Sequence, residues 1–118
     1  MTEKDLLIFI EHILNSINDI NTFTSKISKK EFSENKEKLN AVIRSLEIIG
    51  EAVKNIPIPF REKYSEIPWK NIAGLRDVII HQYFDIDLDV IWVTIKEEIP
   101  KLEKQIKKIK EDFIKEKR

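Results

Sequence analysis

Leu39, Val42, Leu46, Ile49, Val53 and Ile56 follow one another at steps of three and four. That spacing lines one face of an α-helix and leaves a narrow apolar seam for neighbouring helices. A similar stripe, Leu6, Ile10, Ile13, Leu14, Ile17 and Ile20, precedes it, and a third, Leu88, Ile91, Ile95, Leu102, Ile106 and Phe113, follows. Only two glycines and four prolines occur in 118 residues. A many-stranded β fold needs turn signals roughly every 8–12 residues, and this chain does not carry them. The expectation is an all-α bundle of four to five helices in one domain spanning residues 1–118.

Local signals divide the chain. Thr2 with Asp5, and Ser28 with Glu31, are capping boxes that open helices. The first helix is predicted to run to about Lys26, and Pro57 and Pro59 end the helix that contains the 39–56 seam. Residues 57–67 read as a connector with one helical turn around Arg61 to Tyr64. Pro68 suits the first turn of a third helix reaching about His81 or Tyr83, with Gly74 inside it as a point of close helix–helix contact. Asp85 or Asp87 caps a fourth helix, which Pro100 should kink. The charged end, from about residue 107 or 110 onward, is expected to fray.

Composition excludes several function classes. Hydrophobic residues make up 42% and charged residues 36%, enough apolar material for a core and too much for a disordered chain. The absence of cysteine removes disulfides, thiolate metal sites and cysteine catalysis. No apolar run approaches a membrane span, and Glu3, Asp5, Glu11 and His12 interrupt the first helix where a signal peptide would be apolar. A cytoplasmic location is expected. Lys plus Arg and Asp plus Glu number 21 each, so any attraction to nucleic acid must come from a local patch.

Two histidines limit where proton transfer can occur. His12 lies beside the apolar stripe of the first helix without a chemical partner and reads as a solvated or boundary residue. His81 stands in Arg76-Asp77-Val78-Ile79-Ile80-His81-Gln82-Tyr83. Histidine exchanges protons near neutrality, and the arginine fork matches phosphate oxygens. Together they suit cleavage of a phosphodiester, and in RNA the 2′-hydroxyl is a built-in nucleophile. Spacing alone is a weak signal, since the same offsets occur in many helices.

The sequence around this trio is more specific. R-x4-H-x-Y from Arg76 to Tyr83 resembles the motif of HEPN-domain toxins of the HepT family. The flanks agree in order: residues 41–52 (AVIRSLEIIGEA), Ile67-Pro68-Trp69-Lys70, Gly74-Leu75-Arg76-Asp77, Tyr83-Phe84-Asp85-Ile86-Asp87-Leu88 and Ile91-Trp92. The likeness covers roughly residues 3 to 110. It implies a homodimeric HEPN-type bundle acting as a metal-independent endoribonuclease with no cofactor. Arg76 and His81 would be catalytic. Tyr83 would receive AMP from a partner, the MntA-type minimal nucleotidyltransferase antitoxin, in a pair that can form larger hetero-oligomers. The competing readings are a non-catalytic subunit that binds nucleotide or substrate for such a transferase, and a structural dimerisation module in which the motif merely packs.

Helical geometry adds a constraint. At about 100° per residue, Arg76 and His81 sit about 140° apart on an ideal helix, whereas Arg76 and Tyr83 nearly coincide. One straight helix would not aim all three at one substrate, so a helix end near His81 or a second copy across a two-fold axis is expected. Arg44 and Glu47, on the family-like stretch of the second long helix, are candidates to line that cleft. Trp69 and Trp92 read as core or interface anchors, Asp85, Asp87 and Asp89 as helix-capping acids, and the lysine-rich end as a solvated face.

Overall fold

The computed structural model describes residues 1–75, 77 and 87–116. Every element among them is helical. Helix α1 (Glu3–Thr24) opens on the expected capping box: Thr2 Oγ1 accepts from the Asp5 amide at 3.1 Å, and Asp5 Oδ2 accepts from the Thr2 amide at 3.2 Å. That bond to Thr2 holds the exposed Asp5 carboxyl below its ordinary pKa. Ile10, Ile13, Ile17 and Ile20 of α1 are wholly buried.

Helix α2 (Lys29–Glu34) starts on the Ser28–Glu31 box and buries Phe32. Asn35 closes it and also caps α3 (Lys36–Lys54), where its Oδ1 accepts from the Lys38 amide at 3.0 Å. The α3 seam, Val42, Leu46, Ile49 and Val53, is wholly buried, and α3 packs along α1.

The connector is more ordered than its sequence suggests. Helix α4 (Ile58–Lys63) follows Pro57. Arg61 turns back from it, donating from Nη2 to the Val53 carbonyl at 2.7 Å and from Nε to the Ile56 carbonyl at 2.9 Å. These carbonyls end α3, where a cation is also favoured by the helix dipole. The Trp69 indole then donates to the Arg61 and Tyr64 carbonyls, each at 3.0 Å.

Helix α5 (Trp69–Ala73) breaks at Gly74, where one uninterrupted third helix was expected; Leu75 and Asp77 are helical again, and the expected reach to about His81 or Tyr83 lies outside the described residues. Pro68 is its N-cap, and Gly74 is its C-cap rather than an interior residue. The Gly74 amide donates to the Lys70 carbonyl, and a Cβ built on Gly74 would lie 3.4 Å from that oxygen. The nearest described atoms are thus its own preceding turn and not a neighbouring helix.

Asp87, one of the two expected caps, opens α6 (Leu88–Val93), with its Oδ1 accepting from the Asp89 and Val90 amides. A π-helical turn (Thr94–Glu98) joins α6 to α7 (Ile99–Glu116). It stands just before Pro100, which has no N–H to give and whose ring would strike the Lys96 carbonyl in an α-helix. Widening the turn, with the Ile99 amide donating to the Thr94 carbonyl, is how the chain absorbs that proline. Fraying was expected from about residue 107 or 110 onward; residues 117 and 118 lie outside the described residues. Helix α7 persists to Glu116, because Ile106, Ile109 and Phe113 are buried and Phe113 stacks on Phe60 at 6.0 Å.

Candidate functional site

The three residues singled out by sequence, Arg76, His81 and Tyr83, lie outside the described residues, as does Asp85. What is described is the frame on either side of them. Upstream, α5 is fixed by Trp69 and Ile72, both buried, and by the indole bonds to the α4 carbonyls. Leu75 follows, half-buried against the core, and Asp77 is exposed.

Downstream, α6 is fixed by the buried Ile91 and by Trp92, whose ring lies 5.5 Å from that of Phe32. Lys96 sits over the Trp92 ring at 4.8 Å and donates to the Thr24 carbonyl at 3.1 Å, closing the end of α1. Lys29 pairs with Asp89 in the first turn of α6. Both ends of the segment carrying R-x4-H-x-Y are therefore tied to one hydrophobic core.

Arg44 and Glu47 are both on α3. Arg44 Nη1 lies 3.5 Å from Glu47 Oε2, with the arginine side chain 71% exposed and the glutamate 21%. Such an i,i+3 pair contributes little to stability. Among the described residues neither bonds to anything else, so the structure brings these two together and shows no link to a further site residue. His12 is exposed, with only a ring-edge contact to Phe9. Trp69 and Trp92 pack into the core as expected. Among the described residues no group of three His, Asp or Glu is placed to hold a metal ion.

The family profile for ribonuclease HepT-like proteins matches residues 13–109, a stretch that contains the framed segment. The chain belongs to the ribonuclease HepT-like family. A candidate RNase of Methanocaldococcus jannaschii is 48% identical over 113 residues, covering 96% of this chain and 97% of the relative. A candidate HepT ribonuclease of Thermococcus cleftensis is 45% identical over 102 residues, covering 86% of this chain and 93% of the relative. A third relative, from M. jannaschii and named as a gamma-glutamylcyclotransferase and candidate RNase, is 47% identical over 114 residues; this chain spans 51% of its length. No solved structure matches the chain.

Sequence reasoning missed Arg61 as the side chain that takes up the Val53 and Ile56 carbonyls at and just past the end of α3. An arginine four residues after Pro57 was the available signal, but its targets at Val53 and Ile56 depend on how the connector folds back. It also missed a cavity beside Leu75, which no periodicity announces.

Proposed function

We propose that this chain is the endoribonuclease toxin of a toxin–antitoxin pair and works in the cytoplasm. The carrying observation is that R-x4-H-x-Y, Arg76 to Tyr83, falls inside the stretch matched to the HepT-like family. In this reading His81 exchanges the proton of the RNA 2′-hydroxyl or of the leaving 5′-oxygen. The 2′-oxygen forms its bond to phosphorus as the bond to the 5′-oxygen breaks. Arg76 neutralises charge on the non-bridging oxygens. No metal need supply the nucleophile. Two copies of the chain would face each other across a two-fold axis, since one straight helix would not aim Arg76 and His81 together.

Tyr83 is the off-switch in the same proposal. A minimal nucleotidyltransferase partner would move AMP from ATP to the Tyr83 oxygen and release pyrophosphate. The added phosphate would repel RNA, and the added nucleoside would fill the space it needs. Among the described residues no helix is long and apolar enough to cross a membrane.

Purified chain incubated with RNA in EDTA is the direct test. Arg76→Ala and His81→Ala should each lower the cleavage rate by roughly a hundredfold or more, the scale of a lost acid–base or oxyanion contact. Equal cleavage by wild type and both variants would remove the reading. For the switch, a Tyr83 peptide should gain the mass of AMP after incubation with the partner and ATP. A fully active monomer in solution would defeat the shared cleft.

A further inference from the structure

Leu75, the residue before Arg76, lines a cavity of about 300 Å³ between α5, the π-helical turn and the start of α7. The floor is apolar, formed by Ile72, Ile99 and Leu102, all buried. The rim is polar and carries Glu66, Asn71, Thr94, Glu98, Lys101 and Gln105. Gln105 Nε2 donates to the Glu66 carbonyl at 3.4 Å, bridging one side of the rim. The volume is at the small end of ligand sites. A flat ring with donor groups fits a greasy floor edged by two carboxylates better than a free acid does.

Lys101 begins a row. Lys101, Lys104, Lys108 and Lys115 are all exposed on α7. On an α-helix these positions fall within an arc of about 60° and span about 21 Å. Among the described residues none of the four forms an ion pair. Off the row, Lys107 pairs with Glu103 at 3.8 Å and Lys110 with Glu11 at 2.7 Å. Lys108 and Lys115 share a surface depression with Glu66, Asp112 and Glu116, the acids around Tyr64, so the least opposed cations of the row are Lys101 and Lys104. A track of cations ending at a base-sized cavity lined by Leu75 complements a single strand, whose phosphates are anionic and whose bases are free to turn outward.

We propose that the cavity beside Leu75 is a subsite for an amino-bearing base of the RNA substrate (adenine, cytosine or guanine) and that the lysine row of α7 holds the strand's phosphates. Glu66 and Glu98 accept from the exocyclic amine, as carboxylates do from the cytosine amino group. Uracil presents a carbonyl there and is rejected. That the occupant is RNA rests on the ribonuclease reading.

The test uses the full chain with labelled methyl groups, titrated with the four nucleoside 3′-monophosphates. The Ile72, Leu75 and Leu102 methyl signals should shift, and cytidine monophosphate should bind about tenfold tighter than uridine monophosphate, the scale of one charge-assisted hydrogen bond. Glu98→Gln, at an exposed position, should collapse that ratio to under about twofold, and Lys101→Glu should weaken all four nucleotides alike. A 2′-O-methyl RNA oligonucleotide, which cannot be cleaved, should displace the mononucleotide. Unshifted methyls, an unchanged ratio in Glu98→Gln, or a mononucleotide that RNA does not displace would each overturn the subsite. Binding and displacement without cleavage by wild type would leave the subsite standing and remove the ribonuclease reading; cleavage with unshifted methyls would do the reverse.

Discussion

The Tyr64 hydroxyl donates to Asp112 Oδ2 at 2.8 Å, tying the end of α4 to the last turns of α7. Burial, then this bond, then the charges of Asp112, Glu116 and Glu66 push the phenol up to about 12. In the unfolded chain it titrates near 10. The protonated phenol is thus favoured by folding. Its stabilisation is complete below about pH 10 and is lost as pH rises through about 12. Tyr64→Phe should cost about 1 kcal/mol at pH 8, the scale of one hydrogen bond. The stability difference between wild type and variant should shrink between pH 10 and 12, followed by urea unfolding at stepped pH. A difference that stays constant across that window would show that ionisation of Tyr64 is not coupled to folding.

Arg61 secures the other end of the same connector. Its two bonds to the Val53 and Ile56 carbonyls involve a charged donor and are partly buried, so each is worth more than a neutral pair. Arg61→Ala should destabilise the fold by about 2–3 kcal/mol, and Arg61→Lys should recover only part of it, because lysine lacks the two-pronged geometry. Thermal melts of the three proteins decide this. A lysine variant as stable as wild type would mean that charge at the end of α3 matters and the fork does not.

These two contacts mark the limit of what the sequence discloses. Thr2–Asp5 and Ser28–Glu31 were readable because a capping box closes within four residues. The stripes on α1 and α3 were readable because burial repeats with the helix. Asn35 was not foreseen as a cap, since no acid follows at the third position. The early end of α5 was hidden because Ile79 continues the apolar spacing past Gly74. The π-helical turn was foreseen only as a disturbance at Pro100. Arg61 reaches back eight and five residues to backbone carbonyls and Tyr64 reaches 48 residues on to Asp112, and no local pattern encodes these partners. The motif itself was legible through likeness to a family, which names residues and does not supply their geometry.

Asp87 caps the helix that begins just after the motif segment. Asp87→Ala leaves the Asp89 and Val90 amides without their acceptor and should cost about 1 kcal/mol. Asp87→Asn and Asp87→Ser should restore most of it, because each keeps an acceptor. Since α6 holds the downstream end of that segment, RNA cleavage should fall in Asp87→Ala at temperatures well below its melting point. Hydrogen exchange at the first turn of α6, measured beside the cleavage rate, checks the link; accelerated exchange with unchanged cleavage would break it.

The lysine row makes a prediction that a solvated face would not. Each lysine that contacts a phosphate releases a counterion when RNA binds, so affinity falls with salt by a slope of about 0.7 per contact on a single strand. Lys104→Gln with Lys108→Gln should reduce the slope of log affinity against log salt by about 1.4 for an uncleavable RNA, and weaken binding alike for every sequence. Lys107→Gln with Lys110→Gln removes the same charge from positions already paired with Glu103 and Glu11, so its slope should change less. Equal slopes for the two double variants would mean that RNA senses the net charge of α7 and not the row that leads to Leu75.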